Sequence, residues 1–480
     1  MVLAGLLAVS LYVATLIRYT GRLEDERNTA QSEAARAEEV QQFLVDLFAS
    51  ANPFVPADTE RGRRITVVEA LDLGVERLGT SLKERPEARV SILSAIAGVY
   101  EDLGVYDRAL PLRQEALELQ RSLFGQTSRP VRDSLGSLAA IEAGLGVLER
   151  ATELYQRRLE LALAVEPPDI AEIADARTRL GRHYFSISRS EAAEEQLLAA
   201  IALAASGDVP ALIEVEATRS LADTQRLRAK FEESERSALR AVELANAYFG
   251  AASTPSALAR ATLATTYSGM GRREEADRIF RIAIDDLERT LGSDHLFRLT
   301  TMTNYAILKS THGELVESEK LLAEIIAIGE RVYGADHPAV ADYLQNYAGI
   351  LRQVGQVDEA IETYERAAQI YRDKVSEDFK RALPLVSLAD IYLQRHQSAK
   401  AEAATREAIP ILEQSLPEGH FVTAVAYCRL ARALVQQDRL AEAEPQFARS
   451  LDPILAATIY PDYRRTCLAA AAGYYRLRGE

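Results

Sequence analysis

Tiny, large apolar and aromatic side chains recur along this chain in one frame of about 42 residues. A small residue stands at Ala109, Ala151, Ala193, Ser234, Ala276, Ser318, Ala360, Ala401 and Ala443, in steps of 41 or 42. Taking as zero the residue five places earlier gives Gly104, Gly146, Ser188, Ala229, Gly271, Gly313, Gly355, His396, Asp438 and finally Gly479. Seven before zero the residue is tiny again, from Ala97 and Ala139 through Gly181 to Ala431 and Ala472, and the residue before it is mostly large and apolar. Position −4 favours Tyr (Tyr100, Tyr184, Tyr267, Tyr392, Tyr475), +9 is aromatic or aliphatic (Tyr155, Leu197, Phe280, Tyr364, Phe447), and +12 is usually Ala. The spacings −8/−7/−4 and +5/+9/+12 are helical steps of three and four. Each unit is therefore predicted to be two helices with a turn at zero, where Gly suits the left-handed backbone that closes a helix. Small residues at −7 and +5 let the two helices approach closely. A fixed period of this kind predicts about nine stacked copies of one unit, an architecture that binds partners rather than reacting with them.

At each of these positions the unit resembles the tetratricopeptide repeat, over roughly residues 89–480. The usual unit is about 34 residues long. The extra length here falls after the second helix, in stretches such as Leu291-Gly292-Ser293-Asp294-His295 and Tyr333-Gly334-Ala335-Asp336-His337-Pro338, and is similar to the longer repeats of kinesin light chain. Helical repeats of the HEAT type also run to about 40–47 residues, but they do not predict small residues at both −7 and +5. The resemblance implies an all-α chain: a right-handed α-solenoid of about nine helix pairs plus a terminal helix. A helix over 65–82, with Val68, Leu71, Val75 and Leu78 on one side, is expected to cap the array, so that 65–88 is the capping segment and 89–480 the repeats.

Composition changes the picture in three places. No run alternates apolar and polar residues as a strand would, and no stretch is rich in Gly, Ser or Pro, so the chain is expected to be nearly all helix. The formal net charge of −15 argues against a nucleic-acid surface, which needs clustered Lys and Arg. The two cysteines, Cys428 and Cys467, are 39 apart against a local period of 41 and fall on successive first helices. Two buried thiols are expected there in preference to a disulfide, and no paired metal-ligand spacing exists.

Residues 2–17 carry no charge and are followed at once by Arg18. Sixteen helical residues reach about 24 Å, a little short of a ~30 Å hydrocarbon core. A signal peptide would begin with basic residues and end in a small-x-small site, so a single membrane-spanning helix over 1–17 is expected, then a juxtamembrane helix and linker over 18–64. The uncharged span, the Ala/Glu/Arg-rich stretch, the run Val40-Gln41-Gln42-Phe43-Leu44-Val45-Asp46-Leu47-Phe48 and Ile65-Thr66-Val67-Val68-Glu69-Ala70-Leu71 together resemble the sensor half of bacterial membrane-spanning serine/threonine protein kinases. That resemblance implies a single-pass location in the cell membrane with the repeats outside the cytoplasm. Arg18, Arg22 and Arg27 just after the span point the other way by the positive-inside rule. The kinase half is missing: no Gly-rich loop, strand Lys motif, HRD or DFG sequence occurs.

Little else suggests chemistry. His295 and His337 sit at matching positions of adjacent units, about 10 Å apart by helix packing, too far to share one zinc; local hydrogen bonding at helix starts is expected instead. The pairs Glu194-Glu195, Glu274-Glu275 and Asp285-Asp286 read as solvated helix faces. No catalytic residue, cofactor or metal is expected.

The candidate surface is the groove. In tetratricopeptide arrays the first helices line the concave face, with positions −13, −10, −6 and −3 pointing in. In units three and four these are Asp175, Thr178, Arg182 and Phe185, then Glu216, Arg219, Asp223 and Arg226, with Arg179 and His183 alongside. Arginines with one Phe on adjacent inner helices suit an acidic peptide or a carboxylate. The competing reading is that Asp175, Glu216 and Asp223 neutralise them as a solvated lattice. The function expected is a membrane-anchored scaffold or sensor that binds a peptide or protein partner, with two alternatives: the non-catalytic piece of a serine/threonine kinase, or a secreted soluble adaptor.

Overall fold

A computed structural model describes residues 67–80, 85–375, 379–456 and 461–478. Among them are twenty α-helices and one short 3-10 turn, with no strand. The chain divides into two compact units, 1–138 and 139–480.

The described part of the first unit opens with helix Val67–Thr80, whose Leu71 and Leu78 are buried. Helices Pro86–Asp102 and Tyr106–Phe124 form the first repeat. Tyr100 donates from its hydroxyl to Asp72 at 2.8 Å, and the Arg89 Nε donates to Glu115 at 2.6 Å, so both polar tips of this small core are satisfied.

In the second unit helix pairs follow one another to the last helix, Pro461–Arg478. The first helices of neighbouring repeats touch, as Ile170–Ser186 touches Ala211–Leu227 and Ala382–Gln394 touches Phe421–Val435; second helices of neighbouring repeats make no comparable contact. A stack packed more closely on one side bends toward it, so the first helices form the inner face of this unit. The bend is large enough that Gly146–Glu149 of the second repeat face Gln414–Pro417 of the eighth across a cleft of about 160 Å³.

The repeat frame is visible atom by atom. All nine +5 residues are fully buried, and so are their partners at −7 from Ala97 to Ala431. Ala472, at −7 of the last helix, has no second helix after it among the described residues and is exposed. Where +5 is Ser instead of Ala, the hydroxyl reaches the carbonyl of its own −7 partner: Ser234 to Ala222 and Ser318 to Ala306, both 2.8 Å. All nine residues at zero have positive φ, including the non-glycines Ser188, Ala229, His396 and Asp438 at 55–61°. The same closure holds each turn: the +1 N–H bonds the −4 carbonyl at 2.8–3.0 Å, from Val105 to Tyr100 through Arg439 to Leu434, which is the Schellman pattern.

Ion pairs join successive repeats in a second recurring pattern. An acid at +6 meets a base at +1 of the next unit: Glu194 with Lys230 at 3.0 Å, Glu235 with Arg272 at 2.5 Å and Glu402 with Arg439 at 2.6 Å. This corrects the expectation of solvated acids for Glu194-Glu195 and Asp285-Asp286, while Glu274 is exposed and Glu275 partly so. Glu194 is 8% exposed and also pairs with Arg228; Asp286 is 4% exposed and pairs with Arg260 and Arg289. Glu194 lies on the helix flank that faces the next repeat and Asp286 faces the first helix of its own repeat; burial is possible at both because a guanidinium or ammonium is supplied.

Two further expectations are corrected. Cys428 and Cys467 form a disulfide, with Cα atoms 5.9 Å apart. The bond joins the helices Phe421–Val435 and Pro461–Arg478, with the two cysteines at positions that do not match in the repeat frame. The expected membrane span at 1–17 and the segment 18–64 lie outside the described residues. Among the described residues no helix is long and apolar enough to cross a membrane, so the single-pass cell-membrane location, with the array outside the cytoplasm, does not stand.

Three outcomes test this packing. Ala276→Leu forces a larger side chain between helices at a fully buried site and is expected to cost about 1–3 kcal/mol. Ala251→Leu, exposed in a loop, should cost under about 0.5 kcal/mol; equal melting temperatures would refute the frame. Native, non-reduced protein should show no titratable thiol, and Cys428→Ser should lower stability by about 2–4 kcal/mol through the lost 39-residue loop closure. Lastly, burial alone would raise the Glu402 carboxyl, but hydrogen bonds from Arg406, Gln437 and Arg439 bring it down from 4.5 to about 2. Its folded value lies below its unfolded one, so its stabilisation is full above the unfolded value and fades as pH falls toward the folded one. Between those limits the melting temperature should fall more steeply for the wild type than for Glu402→Gln; parallel curves would contradict the clamp.

Candidate functional site

The inner face in the third and fourth repeats is built on helices Ile170–Ser186 and Ala211–Leu227. The first is started by Asp169, which accepts from the Glu172 N–H at 3.0 Å. Asp175, one turn in, takes two guanidiniums: Arg158 from the preceding helix at 2.6 Å, and Arg179 of its own helix at 3.0 Å. Burial would lower the Arg179 guanidinium, but Asp175 outweighs it and raises it. Arg182 crosses to Glu216 on the next first helix at 3.4 Å, with about half its side chain exposed. Arg219 lies 4.0 Å from Asp223, which also accepts from the Thr262 hydroxyl at 3.4 Å. Burial lowers the Arg219 guanidinium, against Asp223 and helped by Arg182; burial raises the Asp223 carboxyl, against Arg219 and Arg226.

Of the six residues singled out in the sequence, Arg179, Arg182, Arg219 and Asp223 thus fall into three ion-pair groups, Arg158–Asp175–Arg179, Arg182–Glu216 and Arg219–Asp223, whose charges act on one another as one cluster. Arg226 acts on it through Asp223, and its Nε is buried without a hydrogen-bond partner. Phe185, at the matching −3 position of the preceding repeat, is half-buried, with no polar role. Four guanidiniums of these two first helices therefore meet three carboxylates, one of which, Asp175, is shared with Arg158. Arg158 was not legible as a member, because it comes from a second helix at position +12, where most repeats have Ala.

Four of the six histidines are accounted for by local contacts. His295, His337 and His420 are N-caps whose Nδ1 accepts from the N–H two residues on, at 3.1–3.2 Å. His183 is buried against Tyr155, pairs its Nε2 with Thr152 at 2.7 Å, and is pushed down to about 4 by burial. It is neutral at physiological pH, with a structural contact on one nitrogen.

Sequence reading of the groove overlooked a second charged group. Arg352 at −3, Asp390 at −6, and Arg429 and Arg432 at −9 and −6 come from the first helices of repeats seven, eight and nine. Arg352 donates to Asp390 at 2.8 Å, Arg432 lies 3.3 Å from it and Arg429 3.8 Å. The inner-face positions that pointed to repeats three and four, applied to every repeat, would have found Arg352, Asp390 and Arg432 but not Arg429 at −9.

Two family models match the chain: the MalT-like TPR region over residues 256–454 and the Tetratricopeptide repeat over 89–164. No curated protein matches it. Similar solved structures include the nearly identical TPR-like repeats of a Podosopora anserina kinesin light chain, 23% identical over 40% of this chain and 91% of that one, with a TM-score of 0.35. A Rap protein complexed with Competence and Sporulation Factor is 15% identical over 75% of this chain and 100% of that one, at a TM-score of 0.46. The apo form of the quorum sensor NprR from B. thuringiensis is 14% identical over 74% and 99%, at 0.45. The resemblance to membrane-spanning kinases rests mostly on residues before Val67, outside those described. From the nine turns of one geometry and the two repeat models that match along it, the chain is built of tetratricopeptide-type repeats.

Proposed function

We propose that this protein is a non-catalytic interaction scaffold that binds an acidic peptide or protein segment on the inner face of its repeats, at Arg182, Arg219 and Arg226. The observation that carries the reading is the excess of guanidinium over carboxylate in repeats three and four, together with the buried, unpartnered Arg226 Nε. An incompletely paired cation in a partly dehydrated place is costly. A ligand carboxylate relieves that cost and gains charge-assisted, two-pronged hydrogen bonds from planar guanidiniums. Arg182, half exposed, is the member best placed to meet a ligand first. The self-neutralised lattice accounts for Arg179 and for the Arg182–Glu216 contact, but leaves over Arg226, whose Nε is buried without a hydrogen-bond partner.

Selection of peptides from a random library by the full chain tests this. Asp- and Glu-rich peptides should be enriched. Arg182→Ala and Arg219→Ala should each weaken the selected peptide by at least about tenfold, the size expected of a desolvated arginine contact. Melting should hardly change for Arg182→Ala, since an exposed pair contributes under about 1 kcal/mol. Normal binding by both variants, or enrichment of basic peptides, would leave the lattice as the whole explanation.

A further inference from the structure

The cluster around Asp390 has the same imbalance in a tighter form. Three guanidiniums surround one carboxylate, and among the described residues Asp390 is the only acid paired with Arg352, Arg429 or Arg432. Their side chains are 31%, 5% and 21% exposed, and that of Asp390 is 14% exposed. Two positive charges are therefore left over in a place with reduced access to water. Burial would raise the Asp390 carboxyl, but Arg429, Arg352 and Arg432 together hold it below its ordinary value, so it stays an anion and is fully used.

The three arginines are not equivalent. Arg429 is part of the framework: its Nη1 donates to the Val386 carbonyl at 2.6 Å and its guanidinium stands 5.4 Å from the centre of the Tyr463 ring. Arg352 and Arg432 approach Asp390 from the repeats on either side, one on each carboxylate oxygen, and each gives it a single N–H. A guanidinium has five N–H donors, so each keeps most of its fork. Position −6 of repeat seven, one turn before Arg352, is Gly349, and the Tyr364 hydroxyl lies 3.5 Å from where its Cβ would be. The absence of a side chain at Gly349 leaves Arg352 uncovered one turn back on its own helix.

We propose that Arg352 and Arg432 form a second anion subsite on the inner face, one that takes a carboxylate of an acidic peptide, with Asp390 and Arg429 holding the two forks in place. Planar forks discriminate for a planar two-oxygen acceptor. The inference rests on the reading that the inner face binds acidic segments, but it shares no residue with the Arg182–Arg226 site. Two such points on one ligand multiply affinity through effective concentration without any new contact.

The test uses the full chain and a fluorescein-labelled hexaglutamate peptide, followed by anisotropy at low salt. Arg352→Gln and Arg432→Gln should each weaken binding at least about fivefold. Arg352→Lys, which keeps the charge and loses the fork, should fall with Arg352→Gln. Arg372→Gln removes a charge from a second helix, where Arg372 bonds Gln369 and Glu407, and should bind as wild type. Inorganic phosphate should displace the probe less well than unlabelled hexaglutamate at equal concentration. The proposal is overturned if the Gln variants bind normally, if Arg372→Gln loses as much, if Arg352→Lys binds as wild type, or if phosphate competes equally. Should Arg432→Gln lose its helical circular dichroism, Arg352→Gln, the more exposed site, decides alone. The Arg182→Ala, Arg219→Ala double variant separates the two readings. If it abolishes binding while Arg352→Gln does not, this subsite fails and the first site stands; loss through Arg352→Gln alone has the opposite meaning.

Discussion

The contact between residue −7 of one helix and residue +5 of the next sets the geometry of every repeat. A methyl group, a hydroxymethyl or a bare Cα is all that fits there, which is why nine units use only Ala, Ser or Gly at these two positions, all of them buried. Close approach at that point fixes where the larger residues at −8, −4 and +9 must go, and those positions supply some of the largest fully buried side chains, Tyr100, Phe280 and Phe447 among them. The left-handed turn at zero follows from the same need, because the second helix must start only a few residues after the first ends. The requirement is strong enough to hold Ser188, Ala229, His396 and Asp438 in a backbone region that L-residues enter at a cost of about 1–2 kcal/mol.

That constraint is also why so much was legible in the sequence. Repetition averages away local exceptions: Asp438 alone gives no sign of a left-handed turn, but its place in a series with Gly104, Gly271 and Gly355 does. What was not legible falls between repeats or outside their period. Glu194 and Asp286, judged one acid at a time, resemble any solvated helix residue; only alignment of +6 with +1 of the following unit exposes Glu194-Lys230 and Glu402-Arg439 as one recurring contact. The disulfide depends on how two helices at the end of the stack are rotated about their axes, and a departure of two residues from the period does not specify that rotation. In the candidate site, the inner-face rule located Arg182, Arg219 and Asp223, but could not anticipate Arg158, which reaches in from a second helix.

Charge on the inner face is unevenly spread. Repeats five and six, between the two arginine clusters, present Thr265, Ser268, Ile307 and Ser310 at −6 and −3, none of them ionisable. Outside the groove, arginines are matched more evenly, by i,i+3 partners such as Arg150–Glu153 and Arg157–Glu160 or by the clamps between repeats. Surplus guanidinium is therefore local, and coincides with helices that face inward.

A chain of net charge −15 would be expected to repel an acidic ligand, and at long range it does. The two effects differ in reach. Exposed charges lose their influence beyond about 8 Å at physiological ionic strength, which removes most of the repulsion from an outer surface whose acids are spread over many helices. Partly buried guanidiniums are screened far less, because salt does not enter the space around them. An approaching carboxylate thus meets a field set by the few groups nearest to it: around Asp390 these are three arginines against one acid. Moderate salt removes the distant opposition before it weakens the local attraction, so an acidic scaffold and an acidic ligand are compatible provided the contact is confined to such clusters. The overall charge then acts as a filter, disfavouring anionic partners too large or too rigid to place their carboxylates inside the groove.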